Sequence, residues 1–148
     1  MRKIFRTKLK ILALDFGEKR IGFAISNFEF RIAFADEILE NNSEIFAKIL
    51  QKISEKKITK ILIGAPYFFD GSDSPLLKSA KKFIAKLRGF LNSKNLKIEI
   101  EFFDERFSSA ASLRGLKKLG AKNLRKKNDA SAAAIFLQTF LDREKKEI

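Results

Sequence analysis

The spacing of hydrophobic and polar residues changes several times along the chain, and each change predicts an element. Leu9 to Phe16 is largely apolar and ends in Asp15-Phe16-Gly17, so it reads as a buried strand that stops at a turn. Arg20 to Ser26 resumes the apolar run after a Gly17–Lys19 turn, which predicts a hairpin. Phe28 to Glu37 supplies a third strand. Asn41, Asn42 and Ser43 then offer helix caps. Phe46, Ile49, Leu50 and Ile53 follow at i, i+3, i+4 and i+7, the apolar stripe of an amphipathic helix.

Lys60 to Gly64 is a short apolar strand, and Ala65 to Asp73 reads as a loop. Ser74-Pro75 is a cap followed by proline at the first helical position. Leu76, Ala80, Phe83, Ile84, Leu87 and Leu91 line one face of that helix, with Lys78, Lys81, Lys82 and Lys86 on its wet side. Leu96 to Phe103 alternates Ile98, Ile100 and Phe102 with Glu99 and Glu101, the pattern of a half-exposed strand. Ser108 or Ser109 caps a short helix ending near Gly120, and a basic loop leads to Asn128-Asp129 and a last helix. The order β-β-β-α-β-α-β-α-α predicts an α/β fold, a mixed five-stranded sheet with helices on both faces. No repeat or shift in composition divides the chain, so residues 1–148 read as one domain.

Composition narrows the chemistry. The chain has no cysteine and no histidine. Disulfides, thiolate nucleophiles, zinc fingers, Ser-His-Asp triads and imidazole metal sites are therefore excluded. An enzyme built from the remaining residues works with carboxylates, Lys, Ser/Thr, Tyr or a hard metal ion held by oxygen. The formal net charge is +13. Such a charge draws a protein to polyanions, nucleic acid first, with a membrane surface as the competitor. The longest uncharged apolar run, Ala130 to Leu141, is too short to span a bilayer, and Lys8, Lys10 and Asp15 interrupt what would be a signal peptide's apolar region. A cytoplasmic protein without a membrane partner is expected.

Three carboxylate positions stand out. Asp15 ends the first strand, where it is either a turn-capping residue or a desolvated carboxylate held by a cation. Asp104-Glu105 ends the strand Leu96–Phe103. Strand ends are where sites assemble in open α/β sheets, but alternation puts these two acids on opposite faces and spacing does not say which points inward. Asp129 opens the last helix, a position that capping and the helix dipole favour on their own. Ala130, Ala132, Ala133 and Ala134 free its first turn of bulk, so that helix can press closely on a sheet. Acids from three elements suit a site for two Mg²⁺ or Mn²⁺ ions that promote phosphodiester hydrolysis.

Basic residues lie beside these acids. Lys117, Lys118, Lys122, Arg125, Lys126 and Lys127 crowd the loop before Asp129, where they could grip phosphates without reading bases. Lys19 and Arg20 follow Asp15 within a turn, and Arg106 follows Glu105. Each is equally a solvated surface charge when taken alone. Tyr67, Phe68 and Phe69 could stack on bases of a single strand, although core packing is the commoner fate of such residues.

Four stretches together resemble the YqgF family, also called RuvX. They are Leu12–Ser26 with Asp15-Phe-Gly17-Glu-Lys19-Arg20-Ile-Gly22, Ile63-Gly64-Ala-Pro66 with Asp70-Gly71-Ser72, Asp104-Glu105-Arg106-Phe-Ser108-Ser109, and Asp129-x-x-Ala132-Ala133-x-x-x-Leu137-Gln138. The motifs occur in family order and cover nearly the whole chain. The resemblance implies a ribonuclease H-like fold, whose element order is the one read above. It implies a divalent-metal-dependent nuclease that matures the 5′ end of precursor 16S ribosomal RNA, free or within pre-ribosomal particles, with an acidic site from Asp15, Glu105 and Asp129. It prefers Glu105 to Asp104 as the inward acid and lends weight to Lys19, Arg20 and Arg106 as substrate contacts. Asn27 stands where the family often has Asp, and Ser112 where a small Ala is common; neither is one of the three acids.

Rival readings use the same residues. A DNA junction resolvase would share the fold and the acids, and would be expected to dimerise; the oligomeric state is not readable from the sequence. A non-catalytic nucleic-acid-binding module would not need clustered acids that repel phosphate. An actin-like ATPase would share the Asp15-x-Gly17 signature but needs two such domains to enclose its nucleotide.

Overall fold

The computed structural model describes residues 9–27, 31–65, 75–104 and 132–143. Five strands form one mixed sheet: β1 (Ile11–Asp15), β2 (Arg20–Asn27), β3 (Ile32–Glu40), β4 (Lys60–Ala65) and β5 (Glu99–Asp104), in the order β3-β2-β1-β4-β5. β1, β2 and β3 pair antiparallel, while β4 and β5 extend the sheet in parallel from β1. Among the described residues three helices cover it: α1 (Ile45–Lys56), α2 (Pro75–Ser93) and α3, residues 132–143.

Strand alternation sorts the side chains into two cores. Leu12, Leu14, Phe23, Ile61 and Ile63 pack with α1 and α2 on one face. Ile11, Ala13, Ala24, Leu62 and Phe103 pack with Phe136, Leu137, Phe140 and Leu141 of α3 on the other. Both cores use the central β1, whose Ile11 to Leu14 are fully buried. This is why its sequence is apolar without a break. Each large side chain so buried stabilises the fold by about 1.5–3 kcal/mol relative to leaving it in water. The expected mixed five-stranded α/β sheet with helices on both faces is thus the fold observed.

Several boundaries differ from those expected: β1 begins at Ile11 rather than Leu9, β5 spans Glu99–Asp104 rather than Leu96–Phe103, and two further differences have a local cause. β3 runs from Ile32 to Glu40 rather than ending at Glu37. Arg31 belongs to the preceding turn, with φ of 54° and its N–H donated to the Asn27 carbonyl at 2.9 Å. A register shift between Gly22 and Ala24 then lets the strand continue, pairing Glu40 with Arg20. Residues 28–30 lie outside the described residues. The second difference is the start of α1. Its N-cap is Glu44, without a side-chain capping bond, and not one of Asn41, Asn42 or Ser43. Asn42 accepts the Glu44 N–H at 3.0 Å in a local turn, and Asn41 is used elsewhere.

Two lysines are built into the packing. Lys52 of α1 is 8% exposed, meets Asp36 at 2.6 Å and Glu37 on β3, and lies 5.1 Å from the Phe23 ring. Lys60 at the start of β4 is equally buried, 2.6 Å from Glu101 and 3.4 Å from Glu99, with the Phe140 ring 4.9 Å away. Burial alone would lower each ammonium's pKa, but the hydrogen bonds and charges of the paired carboxylates outweigh it and raise both above the ordinary value of 10.5.

Candidate functional site

The carboxyl ends of β1, β4 and β5 meet along one end of the sheet. Asp15 pairs with Gly64, Gly64 with Phe103, and Ala65 with Asp104. The last residues of β1 and β5 are therefore two strand spacings apart, roughly 10 Å. Open α/β sheets assemble sites at this end because the chain leaves the strands there and loops can converge.

Asp15 is half-buried. Ile11 and Ala13 belong to the α3-side core, so alternation puts Asp15 on the same face. Its partners across both neighbouring strands are glycines, Gly22 on β2 and Gly64 on β4. Neither contributes a side chain, so the carboxylate is not crowded from either side. Leu62 and Lys60 share the α3 face of β4, and the same parity assigns that face to Gly64.

The turn after Asp15 is tightly fixed. A Cβ on Gly17 would stand 2.5 Å from the carbonyl oxygen of Arg20, so no larger residue fits there without moving backbone. Asn41 clamps the same turn from the end of β3. Its Nδ2 donates to the Gly17 carbonyl at 3.0 Å and its backbone N–H to the Lys19 carbonyl at 2.9 Å. Ser79 of α2 donates to Glu18 at 2.8 Å, which draws that acid towards α2. Lys19 and Arg20 are exposed, and among the described residues neither forms an ion pair. Two exposed cations on a rigid backbone, a few residues from a half-buried carboxylate, form a surface suited to phosphate.

Small residues face one another between α3 and the sheet. Ala132 and Ala133 are buried, opposite a β1–β2 surface that offers Ala13, Ala24 and Ser26. Ser26 is 2% exposed and accepts the Ile11 N–H at 2.8 Å, so this surface has no orphaned polar group there. Phe136 stacks on Phe103 with ring centroids 5.5 Å apart, level with Asp15 across the sheet. Phe140, one turn later, lies near Lys60 at the opposite end of β4. The helix thus runs away from the end that carries Asp15, and its first turn lies nearest that end.

Asp15, Lys19 and Arg20 are brought together at one end of the sheet. Glu105, Arg106, Lys122, Arg125, Lys126, Lys127 and Asp129 lie outside the described residues, as do the Tyr67–Phe69 loop and the helix expected from Ser108 to Gly120. Among the described residues no group of three or more acids forms a metal cluster. Sequence reasoning missed Asn41, which read as a helix cap. It also missed Gln138, whose carboxamide binds the backbone of β3 from α3 at 2.9 and 3.2 Å. Gln138 stood in the Leu137-Gln138 motif, but nothing in the motif says what its side chain holds.

The family model described as RuvX, Holliday junction resolvase, matches residues 9–143. A protein of Sulfurihydrogenibium sp. named "Putative pre-16S rRNA nuclease" is 37% identical over 134 residues, covering 90% of each chain. One of the same name from Maridesulfovibrio salexigens is 36% identical over 139 residues, covering 91% of this chain and 99% of its own. Among solved structures, T. thermophilus RuvC in complex with Holliday junction substrate superposes with a TM-score of 0.55 at 12% identity, covering 92% of this chain and 95% of RuvC. The last likeness is one of fold, a mixed sheet of ribonuclease H type. With its fold, its strand-end Asp15 and a family match that takes in every described element, the chain belongs to the RuvX family.

Proposed function

We propose that this protein is a nuclease that hydrolyses phosphodiester bonds in the 5′-end maturation of precursor 16S ribosomal RNA, with residues 1–148 acting as one domain. The observation that carries the reading is the setting of Asp15: a carboxylate at the end of the central strand, bracketed by two glycines, on the face that α3 covers. Its relatives' names supply the substrate class.

Asp15, Glu105 and Asp129 are the acids assigned to catalysis. The family resemblance favours Glu105 over Asp104 as the inward acid; Phe103, which precedes both, packs on the α3 face. Asp129 precedes the buried Ala132 by three residues in sequence, and the described start of α3 is its end nearest Asp15. Three carboxylates in a chain without histidine or cysteine form an all-oxygen donor set, which fits Mg²⁺ or Mn²⁺ and not a softer metal. These residues would hold a pair of such ions, which lower the pKa of a water and offset charge on the phosphate.

The chain's own part is to grip and align. Lys19 and Arg20 hold phosphates flanking the scissile one, and Arg106 with Lys122, Arg125, Lys126 and Lys127 extends the basic surface. Water attacks phosphorus in line, the bond to the 3′ oxygen breaks, and that oxygen takes a proton. The products are a 5′-phosphate and a 3′-hydroxyl. Among the described residues no helix is long and apolar enough to cross a membrane. The reading adds a cytoplasmic setting, with pre-ribosomal particles as the physiological form of the substrate.

The test offers purified protein a 5′-extended small-subunit ribosomal RNA precursor and a four-way DNA junction, each with Mg²⁺, Mn²⁺ or EDTA. Metal-dependent trimming of the RNA to a 5′-phosphate end is the expected result. Cleavage of the junction alone would favour the resolvase reading, which the family description and the RuvC likeness keep in view. Binding without cleavage in any metal would favour a non-catalytic module.

A further inference from the structure

α3 is attached to the sheet in two unlike ways. On the β5 side Phe136 and Phe140 pack on Phe103, with centroids 5.5 and 6.4 Å away. With Ala133, Leu137 and Leu141 they form a buried apolar core against β1, β2, β4 and β5 that holds the helix down. On the β3 side the attachment is directional. The Gln138 side-chain oxygen accepts the Ala33 N–H at 2.9 Å, and its Nε2 donates to the Arg31 carbonyl at 3.2 Å. Nε2 also donates to Asp142 one turn further on, at 3.0 Å, which orients the amide.

β3 is an edge strand. The carbonyl of residue 31 and the N–H of residue 33 are the pair of groups that one residue of an added parallel strand would engage. Gln138 takes the place of that residue with its side chain. It thereby satisfies an edge that would otherwise be open, and holds the carbonyl of Arg31, a residue with φ of 54°. Its partners are more than a hundred residues away in sequence, at separations of 105 and 107, so the two bonds fix the position of α3 along and around its axis relative to the sheet.

We propose that Gln138 is a positioning residue for the cleavage reaction: by standing in for one residue of a sixth strand on β3, it helps to set the register of α3, whose first described turn lies nearest Asp15. The proposal rests on the assignment of Asp129 made above. Displacing a reacting group by about 1 Å can cost about a hundredfold in rate, so directional bonds added to the apolar packing bear on an acidic site.

The test compares Gln138→Met, which keeps the side chain's length and removes both bonds to β3, with Asp129→Asn and wild type. Readouts are kcat and KM on the RNA precursor well below the melting temperature, and hydrogen exchange of the Ala33 amide. The expected result is faster Ala33 exchange, a fall in kcat of about ten- to a hundredfold, and KM within about twofold because Lys19 and Arg20 are untouched. A purely structural Gln138 would lower the melting temperature and speed exchange at Ala33 while leaving kcat at the wild-type value. That pattern, with Asp129→Asn inactive, overturns the proposal and spares the site assignment. Asp129→Asn cleaving at the wild-type rate overturns both, because nothing would then remain for Gln138 to place.

Discussion

Asp15 and Gly64 stand opposite each other on β1 and β4, a half-buried carboxylate beside a residue with no side chain. Gly22 repeats the arrangement on β2. Adjacent strands lie only about 4.8 Å apart, so a Cβ on the α3 face of residue 64 would enter the space beside the carboxylate. Gly64→Ala is expected to lower cleavage by about tenfold or more with little change in KM. Steady-state kinetics alongside a thermal melt checks this; an unaltered kcat in a folded variant would mean that the space beside Asp15 is not used.

The turn that carries Lys19 and Arg20 should act on binding more than on chemistry. Replacing both by Ala is expected to weaken RNA affinity. The slope of log affinity against log salt should become shallower by about 1 for each phosphate that is no longer neutralised. Asn41→Ala leaves both cations in place but removes the side-chain bond to Gly17, at a cost of about 1 kcal/mol in stability. Salt titrations of binding for the two variants separate these effects: the first changes the slope, and the second leaves it near the wild-type value.

The buried lysines predict an alkaline limit to stability. Lys52 and Lys60 have pKa values raised above 10.5 in the folded protein, by carboxylates that outweigh the cost of burial. The native state therefore holds these protons more tightly than the unfolded chain. Their contribution is fully present below pH 10.5 and is lost as pH rises through the folded values. Lys60→Met keeps the apolar stem beside Phe140 and removes the charge. Melting temperatures from about pH 8 to 12 should fall less steeply for this variant than for wild type; parallel curves would contradict the assignment.

Periodicity made the order of elements along the chain, the two large helices and the strand-end position of Asp15 legible; burial on both faces leaves β1 an unbroken apolar run. The choice between Asp104 and Glu105 was not legible. Alternation says only that the two differ, and Glu105 lies outside the described residues. The end of β3 was misread because a register shift near Gly22 changes its pairing. Asn41 looked like a cap because Asn before a helix usually is one, but its bond goes to a turn 24 residues back. The burial of Lys52 and Lys60 was not read from the sequence, because composition does not reveal carboxylates arriving from other strands. Gln138 acts across more than a hundred residues, a distance that no local pattern encodes.

The central claim is that Asp15 anchors a phosphodiester-cleaving site, and Asp15→Asn tests it most directly. The change removes one negative charge and keeps the side chain's size, so fold and RNA binding should survive. Single-turnover cleavage of the 5′-extended precursor in Mg²⁺, measured beside binding affinity and a thermal melt, is predicted to fall by about a hundredfold or more with affinity retained. Cleavage at the wild-type rate by the folded variant would contradict the account.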